Sequence, residues 1–274
     1  MTRRLRALAP LLGLFALAAC QSPAPSSSGA AAPPHLSRIL ENRELRVGLT
    51  GAQPPLNMTN RRGEIIGLEV DLVRDLASAM GLEARLVPKP FAELLPALEA
   101  NEVDLVVSGL TITPERNARV AFAGPYLVSG KTLLTRSQSI ASAQSSSALD
   151  DPSRTYAALA GSTGEQFVKN ALPRAKLVAT PDYDSAVRML LADQVDALVT
   201  DLPFSELTAL RYPDAGLSLG MPLTIEPLGI ALPAGDPLFV NLVENYLETL
   251  ESTGILTQLK ARWLSDGSWV SELP

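Results

Sequence analysis

One helix–strand unit is written twice in this chain. Residues 94–109 read LLPALEANEVDLVVSG, and residues 186–201, ninety-two positions later, read AVRMLLADQVDALVTD. Each is a short amphipathic helix, a polar break and an apolar strand opened by Val-Asp, at Val103-Asp104 and Val195-Asp196. Stacked repeats recur at periods of about 20–50 residues, so the wider period implies two similar α/β lobes. Ligands of open α/β sheets gather at the carboxyl ends of strands. The repeat therefore points to Ser108, Gly109 and the residues just after them, and to Thr200 and Asp201, as two halves of one site.

The first nineteen residues have the layout of an export signal: Arg3, Arg4 and Arg6, then an apolar run from Ala7 to Ala19 that is too short to span a bilayer. Leu17-Ala18-Ala19-Cys20 resembles the lipobox of bacterial lipoproteins, which makes Cys20 the expected lipid attachment site and the first mature residue. Acyl chains at about 0.8 kcal/mol per buried CH₂ would hold the chain on a membrane. Gln21 follows the Cys, where an Asp favours inner-membrane retention in Gram-negative bacteria, so the periplasmic leaflet of the outer membrane is favoured. Residues 20–36 are the lipidated Cys and a flexible tether rich in Ser, Pro and Ala. The only His, His35, falls in that tether, which removes His-based metal or acid–base chemistry; no metal site or cofactor is expected.

Removal of residues 1–19 takes away three Arg and moves the net charge from −6 to −9. An acidic chain with five Lys and no basic cluster is a poor nucleic-acid binder. A single Cys excludes an internal disulfide, so packing must supply the stability.

The pattern along the rest alternates strand and helix. Strands are expected at 45–49, 82–87, 131–136, 156–160, 176–179 and 228–232, with a turn and short strand at 63–67 and helices at 69–80, 165–172, 237–251 and 254–263. Val120 to Phe122 runs into an expected turn at Gly124-Pro125, and 137–153 reads as loop with at most a short helix. This is an α/β pattern with mostly parallel sheets. After the first repeat, Gly109 admits close backbone approach, Thr111 offers a hydroxyl and Arg116 a fork of donors that fits a carboxylate. Arg116 also reads as a surface helix residue. Asp201 reads as a ligand partner or as the cap of the helix after it. The turn Gly161-Ser162-Thr163-Gly164-Glu165 is an anion site or a plain capped helix start. Ser129-Gly130-Lys131-Thr132 imitates a phosphate-binding loop, but position 125 is Pro where that loop needs Gly.

The stretch GLTITPERNARVAFAGPYLVSG closely resembles the signature of the family 3 extracellular solute-binding proteins, receptors of ABC importers. The likeness extends over GLEVDLVRDLASAMG, FAELLPALEANEVDLVVSG, QVDALVTDLP, EPLGIALP and STGILTQLKARWL, which together cover residues 44–264 in order. The resemblance implies a type II periplasmic-binding-protein fold, two lobes joined by a two-strand hinge near 126–130 and 224–228. It divides the chain into lobe 1 at 37–126, lobe 2 at 127–228 and a return to lobe 1 at 229–274. It implies that Arg116, Thr111 and the Gly109 backbone hold a ligand carboxylate, with Thr163 and Gly164 assisting from lobe 2. Asp201 then partners the ammonium group, and Phe91 packs on the ligand side chain. Where many relatives have an acidic residue and an aromatic, this chain has Thr50 and Gln53, and Gln53 is counted with the binding residues. Leu228 stands where many relatives carry an aromatic.

The resulting expectation is a non-enzymatic, monomeric lipoprotein that closes two lobes on an amino acid and delivers it to the permease of an ABC transporter. The alternatives are a ligand sensor without transport and a dehydratase acting on cyclohexadienyl acids such as prephenate or arogenate.

Overall fold

The computed structural model describes residues 34–273. The expected leader, Cys20 and most of the tether lie outside the described residues. The tether boundary itself is corrected: His35–Asn42 is a helix, Leu36 is buried, and its N–H donates to Asp236 at 2.9 Å. His35 is thus the first residue of a docked helix, its ring 3.5 Å from the Arg38 guanidinium.

Two five-stranded sheets carry the lobes. The first runs in the order Glu83–Pro88, Glu44–Leu49, Leu105–Val106, Glu226–Leu232, Ala121–Ser129. Its first three strands are parallel and the last two antiparallel. The second runs Lys176–Thr180, Thr155–Leu159, Ala197–Asp201, Lys131–Thr135, Ser218–Leu219, again three parallel strands and then two antiparallel. The central strand Ala197–Asp201 of the second sheet reads as a near-continuous apolar run with Ala197, Leu198 and Val199 all buried, as expected where helices cover both faces. Glu44–Leu49 buries Leu45, Val47 and Leu49 and leaves Arg46 among them half-buried. The helix Leu68–Ala79 buries Val70, Val73, Leu76 and Ala77 at helical spacing. It starts at Gly67, where φ is +137° and a Cβ would lie 2.2 Å from the Leu56 carbonyl, so only Gly fits.

The expected turn at Gly124-Pro125 is not a turn. The strand Ala121–Ser129 runs straight through it, paired with Glu226–Leu232 across a register shift between Leu228 and Ile230. A strand can carry Pro at such an irregularity, where a ladder hydrogen bond is already missing. Two further differences are local. Ala52–Gln53 and Asn57–Thr59 join the expected short strand at Ile65–Ile66 in a small three-stranded sheet, and the expected loop 137–153 holds the short helices Gln138–Ala141 and Ser146–Leu149.

The chain passes from the first sheet to the second between Ser129 and Lys131 and returns into Glu226. Gly130 marks the crossing, since a Cβ there would sit 2.6 Å from the Thr224 carbonyl. Buried apolar contact also spans the lobes: Phe91 and Leu94 of the first share one cluster with Leu159 and Tyr183 of the second. No helix among the described residues is long and apolar enough to cross a membrane.

Candidate ligand cleft

Both repeated strands end at the facing edges of the lobes, but they are used differently. Beyond Leu105–Val106, the Ser108 hydroxyl donates to Gln53 Oε1 at 2.6 Å and accepts from the Thr50 N–H at 3.1 Å. Gly109, at φ +57°, donates its N–H to Glu69 Oε1 at 2.6 Å. That N–H is therefore committed to the protein's own carboxyl. Glu69 also accepts from Asn57 Nδ2 and from the Tyr126 hydroxyl. Burial pushes the Glu69 carboxyl up, and the Gly109, Tyr126 and Asn57 donors only partly offset it. This network forms the floor of the first lobe's edge.

Arg116 stands on the one-turn helix Pro114–Asn117, whose N-cap Thr113 accepts from the Arg116 N–H at 3.3 Å. Its guanidinium donates to the Thr111 carbonyl at 2.9 Å and, across the cleft, to the Gly161 carbonyl at 3.0 Å. Its carbon lies 5.7 Å from the centre of the Phe91 ring, a cation–π distance. Burial pulls the guanidinium below its usual value, against the raising fields of Glu226 and then Asp201. Among the described residues no carboxylate forms an ion pair with it.

On the second lobe, Asp201 is buried at the end of Ala197–Asp201. Antiparallel register places Lys131 directly opposite it. Paired residues in such a ladder point to the same face, and Lys131 Nζ lies 2.6 Å from Asp201 Oδ1, with side chains only 3% and 5% exposed. The other oxygen, Oδ2, accepts from the Tyr183 hydroxyl at 2.9 Å. The cap reading of Asp201 is thereby corrected: it occupies the N-cap position of Leu202–Arg211, but its side chain makes no cap hydrogen bond.

The turn at 161–165 is a capped start. Ser162 accepts from the Glu165 N–H at 3.1 Å, and Glu165 accepts from the Gly161 N–H at 2.6 Å. Gly164 packs closely on the second sheet: a Cβ there would meet the Val199 carbonyl at 3.2 Å. Thr163, the first residue of this helix, points into the cleft.

What Thr163 meets is a residue the sequence reading left unassigned. Glu226 Oε2 accepts from Thr111 at 2.6 Å and from Thr163 at 2.9 Å, while Oε1 accepts from Thr224 at 2.6 Å. One carboxylate oxygen thus joins the two lobes. With both hydroxyl protons directed at Glu226, the 3.4 Å approach of Thr111 to Thr163 is a contact only. Burial raises the Glu226 carboxyl, but the field of Lys131 and the three Thr hydroxyls outweigh it and hold it below the usual range. The signal for Lys131 and Glu226 was a charged residue in an apolar strand, KTLLT and EPLGIAL, where a charge must find a partner.

Beside this polar centre lies a cavity of about 350 Å³, walled mainly by Pro88, Pro90, Phe91, Leu159, Pro181 and Tyr183, with Thr50, Gln53, Lys89 and Asp182 as its polar and charged lining. Gln53, Tyr183 and Asp201 also line a small adjoining recess. The arrangement can hold a small polar head group and accept an apolar or long side chain.

Two lobes, each a mixed sheet flanked by helices, with a charged cleft between them, define the type II periplasmic-binding-protein class. Residues 45–266 match the model of the bacterial extracellular solute-binding proteins, family 3, and the chain belongs to that family. It is 29% identical over 247 residues to the cyclohexadienyl dehydratase of Pseudomonas aeruginosa, covering 90% of this chain and 92% of that protein. It is 28% identical to a glutamine-binding protein of an ABC transporter from Bacillus subtilis, covering 95% and 96%. Among solved structures, a binding component of an ABC transporter from Wolinella succinogenes, complexed with lysine, matches at TM-score 0.79 and 35% identity, over 83% of this chain and 98% of that one. An ancestral amino acid-binding protein described as a precursor of cyclohexadienyl dehydratase matches at TM-score 0.77 and 32% identity, over 84% and 99%. The dehydratase and its precursor correct the expectation that the chain is not an enzyme: a full-length relative is one.

Proposed function

We propose that this chain captures an α-amino acid between its lobes and hands it to an ABC importer, anchored to the membrane through Cys20. The half-buried Arg116 guanidinium carries this reading. It is fixed by two carbonyls, one from each lobe, beside the Thr111 and Thr163 hydroxyls, and it has no carboxylate partner of its own among the described residues. Removing charge from water without a counter-ion is costly, and a ligand carboxylate would supply the missing partner. The amino-acid receptors among the relatives support the solute class. A thermal-shift screen of the full-length protein in detergent against L-amino acids tests it. Binding to the folded state raises the melting temperature by mass action, and a flat response across the set would refute it.

Delivery and anchoring have separate tests. Metabolic labelling with a fatty acid should mark the wild type and leave Cys20→Ala unlabelled. Deletion of the gene should abolish uptake of the solute that the screen identifies.

A second reading, dehydratase action on a cyclohexadienyl acid, is favoured by Lys131 and Glu226 together. They place a second cation and a second carboxylate in the cleft, beyond the one pair that a zwitterion's receptor needs. Incubation with prephenate and arogenate, followed for aromatic product, tests it; no product from either excludes it.

A further inference from the structure

Two buried carboxylates of the cleft, Asp201 and Glu226, are candidates for a solute's ammonium group, and they are not equivalent. Asp201 has both oxygens in use, one on the Lys131 ammonium at 2.6 Å and one on the Tyr183 hydroxyl at 2.9 Å. The register of two paired strands brings Lys131 there, so the pairing is built into the sheet. A ligand ammonium approaching Asp201 would lie beside a buried cation, and like charges at such range repel strongly in a low-dielectric site.

Glu226 differs in its direct partners: it too feels the field of Lys131, but the ammonium is bonded to Asp201 and not to it. It forms no ion pair among the described residues and is held by the hydroxyls of Thr111, Thr163 and Thr224. A hydroxyl can rotate to present a lone pair or a proton elsewhere. When a ligand carboxylate settles on Arg116, Thr111 and Thr163 can turn their protons to it and release Glu226 Oε2. Glu226 also exerts a larger field on Arg116 than Asp201 does. The two ends of an amino acid head group are close together, so a carboxylate held by Arg116 brings its α-ammonium to the neighbouring acid.

We propose that Glu226, and not Asp201, receives the α-ammonium group of the bound amino acid, while Lys131 acts as a resident cation that keeps Asp201 occupied. The assignment rests on the amino-acid reading above and names the specificity residue within it. The resulting chain of charges is Arg116, ligand carboxylate, ligand ammonium, Glu226, with the Lys131–Asp201 pair beside it.

Titration calorimetry on the full-length protein in detergent tests this, with each L-amino acid that stabilises the wild type and with its 2-oxo acid counterpart as probes. Glu226→Gln should weaken amino-acid binding by about a hundredfold or more, the loss typical of truncating one side of a buried charge pair, and should bind the 2-oxo acid no more weakly than the wild type does. The double variant Lys131→Met with Asp201→Asn removes the resident pair together and should lose less than about tenfold. If Glu226→Gln does not fold, Glu226→Asp replaces it. That variant keeps the charge but shortens its reach, and it should show a smaller loss for the amino acid alone. Full amino-acid affinity in the Glu226 variant overturns the assignment, as does a hundredfold loss in the double variant. A wild type stabilised by no amino acid overturns the amino-acid reading itself, and this assignment with it.

Discussion

Lys131 and Asp201 show how one buried contact changes the meaning of a residue. From its strand-end position Asp201 reads as a ligand contact, and Asp201→Ala as a binding defect. With Lys131 Nζ 2.6 Å away and both side chains buried, the same substitution strands a cation in the interior. Removing one member of such a pair costs about 3–5 kcal/mol, so Asp201→Ala should lower the urea midpoint of the whole protein. Arg116→Ala should behave oppositely. Its guanidinium is half-buried and bonded to carbonyls, so folding should change little, while amino-acid affinity measured by calorimetry falls by about 2–5 kcal/mol. The repeat and the residues after it made Thr111, Arg116 and Asp201 legible, because strand ends are local features of sequence. Lys131 and Glu226 were not legible as site residues. What brings them in is antiparallel register between distant segments, and nothing within five or six residues of either encodes that pairing.

At the level of elements, the crossing from the first sheet to the second is closely packed. A Cβ on Gly130 would meet the Thr224 carbonyl at 2.6 Å, a backbone atom that cannot swing aside. Gly130→Ala should therefore destabilise by about 1–3 kcal/mol, the range for forcing volume into a packed site, visible as a lower midpoint in urea unfolding. The long periodic elements were readable: Leu68–Ala79 and Pro237–Ser252 each lie within a residue or so of their expected bounds, since burial of one helical face fixes their pattern. The missed elements share a physical cause. In the small sheet at 52–66 only the strand at Ile65–Ile66 was expected; Ala52–Gln53 and Asn57–Thr59, at two and three residues, are too short to display a period. The helix His35–Asn42 hides behind a proline-rich tether and is held by docking, with Ile39 in the core and Leu36 tied to Asp236. Ala121–Ser129 reads as broken at Gly124-Pro125 because the partner strand that carries it through is a hundred residues away.

For the molecule as a whole, the cleft is also a pH-sensitive seam. The folded state holds Glu226 below the usual carboxylate range, so its ionised form stabilises the fold above the ordinary value of 4.5, and that contribution disappears as pH falls through the lowered one. The melting-temperature gap between wild type and Glu226→Gln should therefore be widest near neutrality and close in acid; a gap that stays constant down to pH 3 would refute this. The links across the seam, Thr111 and Thr163 on Glu226 and Arg116 on Gly161, have a further consequence in time. Under the proposed capture these links would act as a latch that opens before a solute enters, which would make binding a two-step event. At rising solute concentration the observed association rate should level off at the latch's own opening rate, and that same rate limits how quickly captured cargo can leave.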